Sequence, residues 1–105
     1  MDDLQKKEGF NLNHLVIVKN DLISFEKTLE EQRNLLFEDM FQVENKNKNL
    51  IFDIGWYGET ENLEGNFILH LIQDYNWDSP LMKLITKDLY VLEFYIESTM
   101  NFMKK

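Results

Sequence analysis

The residues that could do chemistry in this chain are few, and most fall in one stretch, Leu50 to Gln73, LIFDIGWYGETENLEGNFILHLIQ. Asp53, Tyr57 and His70 lie there at strand-like spacing. An imidazole beside a carboxylate and a phenol can serve as a general base. The same three side chains also fit a polar patch on the solvent side of a sheet. The other histidine, His14, is far away in sequence, and the serines Ser24, Ser79 and Ser98 sit in no nucleophile elbow. The chain has no cysteine, which excludes disulfides, thiolate metal sites and cysteine nucleophiles. Glycine-rich phosphate loops and the zinc-protease motif are absent, and the carboxylates show no ligand spacing. No enzymatic activity, no metal and no cofactor are therefore expected.

The chemistry that remains is recognition by charge. The formal net charge is -8, from 19 acids and 11 bases. The imbalance is concentrated: residues 21–64 hold 11 acids and 4 bases, and the rest of the chain holds 8 acids and 7 bases. Such a surface repels phosphate backbones and anionic lipids, which disfavours nucleic acid and membranes as partners. It suits a basic protein partner, although net charge also serves solubility alone. The loop Gly58–Gly65 carries Glu59, Glu61 and Glu64 and no base. Glu38, Asp39 and Glu44 form a second acidic group. Tyr57, Tyr75 and Trp77 stand beside acids, as aromatic anchors of protein interfaces do.

The elements that must position these residues follow from hydrophobic periodicity. Leu50, Phe52, Ile54 and Trp56 alternate with Ile51, Asp53, Gly55 and Tyr57, and Phe67, Leu69 and Leu71 alternate with Ile68, His70 and Ile72. Period two marks strands with one buried face. An antiparallel hairpin of strands 50–57 and 66–73 is expected, with helices packed on its Phe52/Trp56 side. Asp53, Tyr57 and His70 would share the opposite face. Asn20 as cap, and Leu22, Phe25, Leu29 and Leu36 near helical spacing, predict a helix over 20–35. A strand is favoured over 37–43, although the apolar stripe could carry the helix to 44. Leu15–Val18 reads as a strand or as the first turns of a helix. A strand over 81–85 precedes a C-terminal helix capped by Thr86, with Asp88 in its first turn and Leu89, Leu92, Ile96 and Met100 buried. Residues 1–13 are polar and suggest a weakly docked tail.

The expected fold is α+β, a small antiparallel β-sheet with an N-terminal and a C-terminal helix packed on one face. Its 105 residues make one domain. The polar start carries no apolar signal-peptide core, and no apolar run approaches the ~20 residues of a membrane span. A cytoplasmic location is expected.

The pattern D-x-G-W-Y-G, then E-G-x-F, then W-D-x-P-L is carried by Asp53, Gly55, Trp56, Tyr57, Gly58, Glu64, Gly65, Phe67, Trp77, Asp78, Pro80 and Leu81. Followed by a terminal helix, it resembles small bacterial immunity proteins of contact-dependent growth inhibition and related polymorphic toxin systems. The likeness spans residues 50 to 96. It implies a cytoplasmic inhibitor of a cognate toxin, often a nuclease. The partner surface expected from the residues is Asp53, Tyr57, Glu59, Glu61, Glu64 and His70, with Glu38, Asp39 and Glu44 as second choice. The alternatives are an acidic adaptor or phage-type mimic that blocks a host DNA-binding protein, a small enzyme using Asp53, Tyr57 and His70, and a structural subunit that dimerises through exposed aromatics.

Overall fold

The computed structural model describes residues 15–105; the N-terminal tail and His14 lie outside them. Five strands form one antiparallel sheet in the order β1-β2-β3-β4-β5. They are β1 (Leu15–Asn20), β2 (Phe41–Asn45), β3 (Leu50–Gly58), β4 (Gly65–Gln73) and β5 (Met82–Thr86). Every strand pairs with its neighbour in sequence, so the sheet is a meander. One α-helix, α1 (Leu89–Lys104), closes the chain. The fold is α+β with a single α-helix among the described residues.

The expected hairpin is present, one residue longer at the turn end of each strand. Nine register pairs run from Leu50↔Gln73 to Gly58↔Gly65. Phe52, Ile54, Trp56, Phe67 and Leu69 are buried on one face. Trp56 packs edge-on against Phe67, with ring centroids 5.2 Å apart. Leu92, Ile96 and Met103 of α1 join the same cluster. Asn45 is also buried, and its Nδ2 donates to the Met103 carbonyl at 2.7 Å, tying the end of α1 to β2. The helix is capped by Asp88, not Thr86: the Asp88 carboxylate accepts from the Tyr90 and Val91 amides, and the Thr86 hydroxyl accepts from the Asp88 amide. The buried stripe is Leu92, Ile96, Thr99 and Met103, with Leu89 and Met100 at its margin.

The helix expected over 20–35 does not form. Leu15–Asn20 is a strand, residues 21–29 are irregular, and a short 3-10 helix spans Glu30–Leu35. Two local interactions explain this. The Glu31 amide donates to the Thr28 hydroxyl at 3.1 Å, and the Thr28 amide donates to the Glu31 carboxylate at 3.0 Å. This reciprocal capping box sits just ahead of the 3-10 helix that begins at Glu30, ten residues beyond Asn20. Gln32 is buried, and its side-chain amide donates to the Ser24, Lys27 and Thr28 carbonyls while its oxygen accepts from the Ser24 amide. One side chain thus satisfies backbone groups that a helix would have paired internally. Leu22, Phe25, Leu29 and Leu36 still pack on the core, so their spacing reported burial and not helix.

The strand expected over 37–43 begins later, at Phe41. Ahead of it the chain already pairs with β3. The Trp56 amide donates to the Phe37 carbonyl at 2.8 Å, and the Met40 amide donates to the Ile54 carbonyl at 3.1 Å. Between Phe37, bonded to Trp56, and Phe41, paired with Ile54, the three residues Glu38, Asp39 and Met40 lie against Gly55 alone, so the chain bulges here. A Cβ on Gly55 would lie 1.8 Å from the Glu38 carbonyl oxygen. Only glycine lets the bulge settle there.

Two substitutions test these supports. Gly55→Ala forces the bulge off β3 and should cost about 2–3 kcal/mol in urea unfolding, the upper range for an overpacked site. Gln32→Leu leaves buried backbone groups unpaired and should cost a similar amount, about 2–3 kcal/mol. A midpoint unchanged for either variant contradicts the corresponding contact.

Candidate functional site

Among the described residues α1 packs on one side of the sheet, and the expected site residues lie on the other, where Ile51 and Ile72 are also buried. Side chains of β3 alternate across the sheet, so Asp53 and Tyr57 share a face that Phe52 and Trp56 do not. Strand register builds one transverse row on that face: Lys19↔Gln42, Gln42↔Asp53, Asp53↔His70 and His70↔Lys83. A polar side chain thus comes from each of the five strands. Ile51 and Ile72 pair on one flank of the row, and Gly55, Ile68 and Ile85 lie on the other.

The bulge aims Glu38 and Asp39 at this face, and both residues are exposed. Their charge is felt by the residues below. Asp53 is half-buried, and its carboxyl is pushed up to about 6, first by burial and then by Asp39. The Tyr57 phenol is also raised, by burial and then by Asp53, Glu38 and Asp39. Among the described residues the ion pair formed is Lys19–Asp21, at 3.2 Å. Glu38, Asp39 and Asp53 have no basic partner among them.

His70 sits directly across from Asp53 in the register. Its ring meets Trp77 edge-on at 6.3 Å, and its buried Nδ1 has no hydrogen-bond partner. Burial and then Lys83 lower its pKa, which favours the neutral imidazole. No hydrogen bond joins His70 to Asp53 or Tyr57 among the described residues, so the trio is adjacent without being coupled as acid and base. Trp77 and Tyr75 are exposed, at 47 % and 64 %.

The acidic loop lies at the same end of the face as Tyr57. Glu59 is committed to the loop itself: its carboxylate accepts from the Asn62 and Glu64 amides at 3.1–3.3 Å. The Glu61 carbonyl accepts from Arg33 Nη1 at 2.9 Å. The side chains of Glu61 and Glu64 point into solvent. At the loop neck, Gly58 has φ 131°, and a Cβ there would come within 2.4 Å of the Gly65 Cα. Glu44 belongs to the open face but lies beyond the row, opposite Ile51, and accepts weakly from Gln42 at 3.4 Å.

The structure therefore brings Glu38, Asp39, Asp53 and Tyr57 into one cluster. It sets His70 beside them, places Glu61 and Glu64 at the edge, and leaves Glu44 apart. Sequence reading missed Lys19, Gln42 and Lys83, which complete the row. Among the described residues, no group of three or more His, Asp or Glu side chains is arranged to hold a metal ion.

The raised Asp53 pKa has a consequence for stability. The folded carboxyl holds its proton more tightly than the unfolded one, so this residue's contribution is favourable at low pH and is lost as pH rises from about 4 through about 6. Asp53→Asn should remove that component. At neutral pH it should raise stability by about 1 kcal/mol after solvent screening is allowed for. Urea unfolding from pH 4 to 8 checks this; an equal pH profile in both proteins contradicts the geometry. Comparison of the chain with models of protein families, with curated proteins and with solved structures returned no match.

Proposed function

We propose that this protein is a cytoplasmic inhibitor that binds and neutralises a cognate toxin domain, a basic nuclease, as immunity proteins do. The observation that supports the reading is the acidic cluster of Glu38, Asp39 and Asp53, which has no basic partner among the described residues. A half-buried carboxylate under a second carboxylate is unfavourable in the free protein. Such a group costs stability on its own and repays it when a cation arrives, which is how binding sites differ from ordinary surface.

Each residue has a role in this reading. Asp39, Asp53 and Glu38 receive Lys or Arg groups that the toxin would otherwise use to hold phosphate. Tyr57 supplies a flat apolar contact beside them. Glu61 and Glu64 extend the negative field past the edge of the sheet, and Glu59 keeps their loop in shape. Trp77 and His70 continue the surface toward β5. Complementary charge accelerates encounter and rejects wrong partners, and the inhibitor needs no catalytic group.

Co-expression with the product of the neighbouring gene is the test. If that product arrests growth, this chain should relieve the arrest, and the double variant Asp39→Asn, Asp53→Asn should relieve it poorly. In vitro the association rate should fall by about tenfold or more between about 50 mM and 500 mM salt. Affinity should also weaken below about pH 6, where Asp53 takes up its proton. A salt-independent association rate removes the acidic mechanism. Equal binding to unrelated DNA-binding proteins indicates a host-directed mimic instead.

A further inference from the structure

The row that crosses the sheet at Asp53 is acidic only at its centre. Lys19 stands on β1 and Lys83 on β5, the two outer strands, and Asp53 stands on β3, the central one. Gln42 and His70 fill the places between them, through the pairs Lys19↔Gln42, Gln42↔Asp53, Asp53↔His70 and His70↔Lys83. Neighbouring strands lie about 4.8 Å apart, so each lysine leaves the sheet about 10 Å from the aspartate. From β1 to β5 the face presents a cation, a neutral amide, a carboxyl group, an imidazole and a second cation.

Both lysines are placed to act at this face. Lys19 is half-buried, and its Nζ lies 3.2 Å from the Asp21 carboxylate and 5.4 Å from the centre of the Phe37 ring. Two contacts hold this flexible side chain, and so its charge, at one end of the row. Phe37 precedes Glu38 in the chain, which sets the cation at the margin of the acidic cluster. Lys83 is exposed at the other end, and its charge reaches His70, where it helps to keep the imidazole neutral.

A surface that is basic throughout meets such a row badly. Asp53, Asp39 and Glu38 attract one cation at the centre, but further cations along the row approach Lys19 or Lys83. The spacing of about 10 Å is close to the screening length at physiological salt, so attraction and repulsion are both felt. Specificity is a difference of affinities, and repulsion of the wrong partner is one way to obtain it. We infer that Lys19 and Lys83 determine the specificity of this face. They admit a partner that offers one Lys or Arg flanked by carboxylates at about 10 Å on either side, and they turn away a uniformly basic surface. If the toxin-binding function proposed above holds, on which this assignment rests, the toxin carries that three-charge pattern. Complementarity is then to an order of charges and not only to the net charge of -8.

The double variant Lys19→Gln, Lys83→Gln tests this against the double variant Lys46→Gln, Lys48→Gln, which removes the same charge from the turn between β2 and β3. Each is compared with the unaltered chain for binding to a lysine homopolymer and to the product of the neighbouring gene. Circular dichroism and sedimentation report fold and assembly. At about 50 mM salt the row variant should bind the homopolymer about fivefold or more tighter than the unaltered chain, and the turn variant should gain less than about twofold. The neighbouring product should bind the row variant about tenfold or more weaker, an effect of opposite sign that a change in net charge alone does not give. Lys19→Arg, Lys83→Arg should bind the homopolymer as the unaltered chain does. Equal gains from the row and turn variants overturn the assignment, as does tighter binding of the neighbouring product to the row variant. So does self-association of the row variant with its homopolymer affinity unmoved, which makes the two lysines guards of the sheet edges. A neighbouring product that does not bind the unaltered chain removes the proposed function, and the homopolymer comparison still decides whether these lysines repel a basic surface.

Discussion

The close approach of the Glu38 carbonyl to Gly55 is the contact on which most of this structure turns. It fixes where β2 begins, because the Phe37 and Met40 bonds to β3 bracket it. Next to it the Trp56 amide donates to the Phe37 carbonyl while the indole packs against Phe67 in the core. It also sets Glu38 and Asp39 over Asp53 and Tyr57. A regular strand through 37–40 would send alternate side chains to opposite faces. The bulge breaks that alternation and so concentrates the acids on one side.

The same sheet carries two unlike surfaces. On the covered side, an apolar layer from all five strands meets α1. On the other side, among the described residues, a polar row is left without a helix, with the buried Ile51 and Ile72 at one flank. The part of that face exposed to solvent must tolerate water. Here it tolerates more charge than solvation requires, since burial and like charge together hold Asp53 well above the ordinary carboxylate range. That face is a place where stability has been given up, and the half-buried Asp53 is held in its strand before any partner arrives. Preorganised groups lose little freedom on binding.

The sequence discloses some of this directly and hides the rest for identifiable reasons. Alternation over 50–57 and 66–73 disclosed the central hairpin, because both its faces are patterned by one buried layer. It also disclosed that Asp53, Tyr57 and His70 share a face, since parity alone decides that. The apolar spacing of Leu22, Phe25, Leu29 and Leu36 was misleading. Those residues are buried by a chain segment wound around Gln32, and periodicity cannot separate that from a helix. Thr28 and Glu31 were the available signal, a capping box in mid-segment. The union of Glu38 and Asp39 with Asp53 was not legible at all. It depends on a bulge, the bulge depends on a carbonyl resting over Gly55, and neither follows from local propensity. Lys19, Gln42 and Lys83 became visible only once the register of all five strands was known.

The meander has a bearing on how the chain assembles. Between successive strands lie 20, 4, 6 and 8 residues, so β2, β3, β4 and β5 are joined through short spans and β1 through a long one. Closing a short span costs less chain entropy than closing a long one, and local pairings form early for that reason. The three inner connections can zip together while β1 is still detached. The helix arrives last in sequence, and its end is fixed to Asn45 across 58 residues. Until that bond and its neighbours form, the part of the Phe52/Trp56 layer beneath the helix is bare to water. The kinetic hazard of this fold therefore sits on the face opposite its binding cluster, and the final helix is the piece that retires it.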